Sequence, residues 1–293
     1  MSSSSPLILA IGAAGSAAGE VVPALVERGA RVRGMVHRPE QQDAARQRGA
    51  EEVTVGDLHD PVGLGSAMAG VDAVFYLAPA FMAQEAEVGK SVVDAAVRAG
   101  VRRLVFSSVI HPVLGLVNHT AKAPVEEALY DSGLEYTVLQ PTLFFQNFAL
   151  GWSRTLRSGV LAEPWSTTTR FSRVDYRDVA AAAAIALTQD RLLGGTFELA
   201  ADGHLDRHDV AALISEVTGR DIRAERMEPE QLADMPAPMR AMFEHYDHSG
   251  LLSNPLTLTA VLGREPRTLR SYFSELADRA LAAESTLPQR KPR

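Results

Sequence analysis

The amino-acid sequence predicts a doubly wound parallel α/β sheet with a smaller, mainly helical C-terminal lobe. Three observations carry that prediction. From residue 7, short apolar runs alternate with longer stretches of helical period, the rhythm of a parallel sheet wrapped by helices. The first run feeds a glycine-rich turn, and after Pro141 the rhythm breaks. A chain of 293 residues is long for one small domain and suits a core with a modest second lobe.

The predicted strands are Leu7 to Ile11, Arg31 to Val36, Glu52 to Val55, Ala73 to Leu77, Arg103 to Ser107 and Tyr136 to Leu139. Each is short and rich in Val, Ile, Leu or aromatic residues, as strands covered on both faces must be. The clearest helices between them, Gln84 to Ala99 and Ala123 to Ser132, close on Gly100 and Gly133, where a left-handed terminating residue is favoured. Their pattern fits packing on the sheet and equally a homodimer face. Residues 150–171 carry Trp152, Pro164, Trp165 and a threonine run without a clear period and read as an excursion from the core. The chain returns with Arg173 to Tyr176, an alanine-rich helix Asp178 to Leu187 and a strand Thr196 to Leu199; from Asp202 it is mainly helical. The expected division is a core of residues 1–150 and 172–200 and a substrate or partner lobe of residues 151–171 and 201–293.

Composition removes several function classes. Hydrophobic residues at 46% and charged residues at 22% give material for a sizeable core. Lys plus Arg number 29 against 36 Asp plus Glu, a net charge of -7, and the one basic cluster is Gln289 to Arg293; this argues against nucleic acid as a partner. With no cysteine there are no disulfides, thiolate nucleophiles or Cys-type metal sites. No window approaches the roughly 18 to 20 apolar residues that span a bilayer, and the polar run Met1 to Pro6 is unlike a signal peptide. The expectation is a cytoplasmic protein with no membrane partner.

The sharpest local signal is Leu7–Ile11 running into Gly12-Ala-Ala-Gly15-Ser-Ala-Ala-Gly19. A buried strand, a glycine turn and a helix in that order point backbone N–H groups and the positive helix end at one spot, which suits a pyrophosphate. Gly12 permits the tight turn, Gly15 lets the backbone approach phosphates, and Ala18 or Gly19 lets helix and strand pack closely. Ala14, Ser16 and Ala17 complete the candidate cradle. Glycines also serve plain turns, so the order of elements supplies the specificity. Pro23 falls inside the predicted helix and is expected to kink it.

The end of the second strand bears on the choice of dinucleotide. An NAD site places an acid there to hold the ribose hydroxyls. Here Met35-Val-His37-Arg38-Pro39 offers no carboxylate before Glu40. Arg38, helped by His37, can pair with a 2′-phosphate, which favours NADP(H) over NAD(H). The alternative is that Arg38 is a solvated loop cation.

Taken together, these residues resemble the NmrA-like branch of the atypical short-chain dehydrogenases/reductases, NAD(P)-binding Rossmann proteins. The resemblance runs from residue 7 to about 275 and rests on separated motifs: Gly12-Ala-Ala-Gly15, Val32 to Pro39, Gly56-Asp57-Leu58, Phe106-Ser-Ser-Val109, Lys122 with Glu126, Tyr136 to Pro141 ahead of Phe145-Gln-Asn147, Val174 to Val179, and Leu262-Gly-Arg-Glu-Pro266. It implies that Asp57 and Leu58 bracket the adenine, that Leu77, Ala78 and Pro79 pass under the cofactor ribose, and that Pro141, Thr142 and Leu143 line the nicotinamide end. Without the resemblance, Asp57 reads as a turn or helix cap.

One departure bears on chemistry. Mainstream members of the superfamily use Ser, Tyr and Lys, with Tyr four residues before Lys as the proton donor. Ser108 and Lys122 stand in matching places, but the position four before Lys122 is Asn118, whose amide cannot donate that proton. His119, three residues before Lys122, is the nearest replacement and on a helix would share its face. A quinone or azo acceptor is less demanding than a ketone, because hydride addition to a quinone gives a stabilised phenolate that water protonates later. The aromatics Phe144, Phe145, Phe148, Trp152 and Trp165 follow the nicotinamide turn and read as core or as a stacking wall for a flat substrate. His245 and His248 form an i,i+3 pair without a further ligand, so no metal is expected, and Ser107-Ser108 lacks a hydrolase elbow. The leading reading is an NADPH-dependent reductase of a flat electrophilic small molecule, with carbonyls as a further substrate class. The alternative is a non-catalytic NADP(H)-sensing regulator.

Overall fold

Aliphatic runs with no polar face form strands only where both faces are covered, and those of the first half of the chain do so. The computed structural model describes residues 5–285; the readings of the serine run before Ser5 and of the basic cluster Gln289 to Arg293 lie outside the described residues. In chain order the strands are β1 (Leu7–Ile11), β2 (Arg31–Val36), β3 (Glu52–Val55), β4 (Ala73–Leu77), β5 (Arg103–Ser107), β6 (Glu135–Pro141), β7 (Leu143–Phe144), β8 (Val160–Glu163), β9 (Arg173–Val174), β10 (Gly195–Leu199) and β11 (Arg223–Arg226).

Seven of them form one parallel sheet in the order β10-β6-β5-β4-β1-β2-β3. Chain direction across the sheet reverses between β1 and β4, and a reversal in such a sheet opens a ligand crevice at the carboxyl ends of the strands. This is the doubly wound Rossmann architecture. The helices Glu85–Arg98 and Ala123–Tyr130 bury their apolar faces through Val88, Val92, Ala96, Val125 and Leu129. A Cβ on Gly89 would stand 2.4 Å from Val125, so that glycine permits their close approach.

The chain divides into two compact units. The first runs to Thr142 and includes Tyr176–Ala200 and Ser253–Pro266; the second holds Leu143–Asp175, Ala201–Leu252 and the chain from Arg267. The first boundary falls at Thr142 rather than at 150 because β7 pairs with β9 of the second unit. The segment Ser253–Pro266 rejoins the first unit: Leu258 and Val261 of the helix Pro255–Leu262 are buried, and Arg264 donates to the buried Asp178 carboxylate at 2.7 Å. Two motifs far apart in sequence, Val174 to Val179 and Leu262 to Pro266, are thus joined by an ion pair.

Local expectations need correction at four places. No long helix leaves the glycine turn. Residues 12–17 remain in turns, a 3₁₀ turn covers Ala18–Glu20, and the α-helix is only Val21–Val26. Pro23 lies in the first turn of that helix, where an N–H has no intrahelical acceptor, so it begins a helix instead of kinking one. The excursion at 150–171 contains most of an amphipathic helix, Asn147–Ser158, with Phe148, Trp152 and Thr155 on its buried face. Tyr176 opens the helix Tyr176–Thr188 rather than ending a strand. The second unit is helical apart from two two-stranded sheets, β7 with β9 and β8 with β11. No described helix is long and apolar enough to cross a membrane.

Candidate functional site

The glycine turn is closed on itself. Gly12, at φ 78°, and Ala13 donate their amides to Met35 O (2.9 and 3.1 Å), Gly15 donates to Gly12 O (2.8 Å), and Gly19 to Gly15 O (3.1 Å). Among the described residues, no backbone acceptor takes the amides of Ala14, Ser16, Ala17 and Ala18. They are the donors left for an anion. The Ser16 side chain is hydrogen-bonded to the Tyr176 phenol, whose pKa burial pushes above its ordinary value. Because the following α-helix has six residues and starts only at Val21, free amides rather than a long helix dipole give this turn its positive face.

Beside the turn lies a cavity of about 430 Å³ at the carboxyl ends of β1, β2, β3 and β4. It brings together six of the sequence-predicted residues: Gly12, His37, Asp57, Leu58, Leu77 and Pro79. Ile11, Met35, Val36, Gly56, His59 and Met82 complete the lining; none of them is among the residues the sequence assigns to the site, although Met35, Val36 and Gly56 fall inside its motifs. A legible signal existed, since Ile11, Val36 and the residues after β3 end adjacent strands at the reversal point. Gly56 admits the Met35 side chain, whose Cε lies 2.6 Å from where a Cβ would stand.

The polar end of the cavity is set by Asp57. Its Oδ1 accepts from the His59 backbone N–H (2.9 Å) and faces His59 Nδ1 (3.1 Å). These contacts, with a smaller contribution from His37, hold the carboxyl below its ordinary range, so it carries full charge at neutral pH. His37 lines the cavity and Arg38 does not. Arg38 is exposed at the start of the 3₁₀ turn Pro39–Gln41.

A second group of predicted residues gathers around β5 and β6, outside this cavity. Ser108, just past β5, donates its hydroxyl to Glu126 Oε1 at 2.5 Å. The same buried carboxylate accepts from Gln140 Nε2 (2.9 and 3.2 Å) and from the Tyr130 hydroxyl (3.1 Å). With its hydrogen committed to Glu126, Ser108 offers lone pairs rather than a donor. Lys122 is buried and its ammonium pairs with the buried Glu85, an acid in the first turn of Glu85–Arg98 that nothing in the sequence pattern set apart. His119 is fully buried, and its Nδ1 donates to the His111 carbonyl at 3.2 Å. A carbonyl only accepts, so Nδ1 carries the hydrogen.

At the end of β6, Thr142 donates both its amide (3.1 Å) and its hydroxyl (3.2 Å) to Leu199 O, and Pro141 O accepts from Ile110 N–H (3.0 Å). Leu143 belongs to β7 of the second unit. Phe145, Phe148 and Trp152 are buried in that unit's core with Phe273, and Trp165 is buried against Phe171 and Tyr246. Of the two readings of these aromatics, core is correct for these four; Phe144 is half-buried. Among the described residues, no group of three or more His, Asp and Glu side chains is arranged to hold a metal.

Known proteins are similar to this chain over nearly their whole length. The chain is 30% identical over 284 residues to the (4-alkanoyl-5-oxo-2,5-dihydrofuran-3-yl)methyl phosphate reductase of Streptomyces griseus, covering 93% of this chain and 98% of that protein. It is 28% identical over 299 residues to the NAD(P)H azoreductase of Xenophilus azovorans, covering 94% and 99%. Among solved structures, an NADPH-dependent quinone oxidoreductase of Escherichia coli in complex with NADPH has the same fold, with a TM-score of 0.79, 24% identity, and 92% and 99% of the two chains covered. The profile of the NmrA-like family matches residues 4–273, and with the motifs already joined in the structure this establishes that the chain belongs to the NmrA-like family.

Proposed function

We propose that this protein is an NADPH-dependent reductase of flat, electrophilic small molecules, quinones first and azo compounds second. The observation that carries the reading is the free-amide turn standing beside an apolar cavity at the sheet's reversal point. Relatives aligned over nearly the full chain are named as reductases, one of them for NAD(P)H and azo compounds, which supports it. The residues fit the dinucleotide. The amides of Ala14, Ser16 and Ala17 would hold its pyrophosphate. Ile11, Met35, Leu58 and Met82 would sandwich the adenine, with Asp57 accepting from its amino group. His37 would meet the 2′-phosphate from inside the cavity and Arg38 from its rim, while Leu77, Ala78 and Pro79 would pass along the ribose.

Bound NADPH supplies a hydride. Lys122, steadied by Glu85, would offer its remaining N–H donors to the cofactor ribose, and Pro141, Thr142 and Leu143 would line the nicotinamide end. On this reading the Ser108 hydroxyl is committed to Glu126 and the Nδ1 hydrogen of His119 to the His111 carbonyl, and Asn118 stands where mainstream members of the superfamily would carry the phenol. Water therefore protonates the product. That restricts efficient turnover to acceptors whose reduced form is a stabilised anion, which is why quinones lead.

The test is steady-state NADPH consumption with a panel of quinone, azo and ketone acceptors. Turnover should fall in that order, with ketones the slowest, and His119→Ala should keep quinone turnover within about twofold, since no step of it needs that imidazole. Tight NADPH binding with no turnover on any acceptor would overturn the reductase reading in favour of a non-catalytic NADP(H)-sensing regulator.

A further inference from the structure

We infer that Arg48 is a positioning residue for the nucleotide-binding turn, aiming the amides of Ala14 and Ser16 by holding the two carbonyls that precede them. The inference rests on the nucleotide-binding reading above. Arg48 follows the helix Gln42–Gln47, and its Nη1 donates to Ala13 O (3.3 Å) and to Gly15 O (2.5 Å). In a trans peptide unit the C=O and the next N–H point in opposite directions. A carbonyl turned toward the guanidinium therefore sends the following amide away from it. The amides sent away belong to Ala14 and Ser16, two of those that no described backbone group accepts.

Gly19 supplies the second, independent observation. A Cβ at that position would lie 1.2 Å from Arg48 Nη1 and 2.4 Å from its Cζ. The space a side chain would fill is the seat of the guanidinium, so Gly19 is the residue that admits Arg48 to the back of the turn. Arg48 thereby spends its donors on carbonyls and leaves every free amide for the ligand. Its charge also sits on the same side as the carbonyl oxygens, whose partial negative charges would otherwise repel a phosphate.

Calorimetric titration of the full-length protein tests this with two ligands. NADPH carries the pyrophosphate; adenosine 2′-monophosphate carries the 2′-phosphate and adenine without it. Arg48→Ala, and Arg48→Met, which keeps the side-chain stem should the shorter variant fail to fold, should raise the NADPH dissociation constant about tenfold. The same variants should shift the monophosphate by less than about twofold. Gly19→Ala keeps the cation but takes its seat, and should give the same pattern. NADPH affinity within twofold of wild type in the Arg48 variants overturns the inference, as does an equal loss for both ligands, which would make Arg48 a source of charge or general stability. A wild-type protein that binds neither ligand refutes the nucleotide-binding reading itself.

Discussion

The two units solve burial in different ways. The first is organised by its backbone: seven strands in register, with small residues such as Ala182, Ala183 and Ala186 on the helix Tyr176–Thr188 letting helix and sheet approach closely. Among the described residues the second has two two-stranded sheets, and it is organised by side chains. Trp152 stacks on Phe273 (5.5 Å), Phe148 meets the same ring edge-on (5.2 Å), and buried guanidiniums cap other rings, Arg173 over Phe148 and Phe171 and Arg207 over Trp165. Burial lowers the pKa of both arginines, yet each remains cationic because an arginine starts so high. A core built on backbone periodicity tolerates loss of any one side chain better than a core built on a few rings.

The largest expected effect tests that contrast directly. Phe273 is fully buried and touches Trp152, Phe148 and Tyr272. Phe273→Ala should cost about 3–5 kcal/mol in denaturant unfolding. A cost below about 1 kcal/mol would show that the rings do not carry this core. Next comes Arg207, buried, donating to Glu163 Oε2 (3.2 Å) and to the carbonyls of Trp165 (2.8 Å) and Glu225 (2.9 Å). Arg207→Ala strands those three acceptors and should cost about 3 kcal/mol, whereas the paired change Arg207→Met with Glu163→Gln should recover part of it. Equal costs for the single and double variants would mean that the cation packs rather than pairs.

The same contrast explains what was legible in the sequence. In the first unit, a strand is a run of four to seven residues, and the predicted bounds of β1 to β5 coincide with those in the structure because an aliphatic run is bounded by its own turn residues. The cavity beside the glycine turn was half legible: Gly12, His37, Asp57, Leu58, Leu77 and Pro79 follow strand ends, where chain order and the family resemblance point. Arg48 and Glu85 were not, because each acts across more than thirty residues of sequence and neither belongs to a local pattern. In the second unit, Phe148, Trp152 and Thr155 do carry helical spacing, but Gly151 and the polar face masked it. The partners of those rings, Tyr272 and Phe273, lie more than a hundred residues away, and no periodicity connects them.

The smallest effect compares one tyrosine from each unit. Tyr76 on β4 and Tyr246 in the helix Ala237–His248 are both buried, and burial raises the pKa of both phenols well above the ordinary value. They differ in surroundings: Tyr76 stacks on Phe106 (5.4 Å), its hydroxyl has no partner among the described residues, and the charge of Glu85 raises it further. A raised folded-state pKa means that the folded protein holds the proton longer than the unfolded chain. The resulting stability is fully present below the unfolded value of about pH 10 and is lost as pH climbs from there toward the folded value. Tyr76→Phe removes an unpartnered buried hydroxyl as well as this titration. It should therefore gain about 1 kcal/mol at neutral pH and lose less than wild type above about pH 10, read from denaturant midpoints at the two conditions. A Tyr76→Phe protein less stable than wild type at neutral pH would mean that the hydroxyl has a partner in solution, and that the sheet-centred unit depends on a ring's polar edge as well as on its backbone.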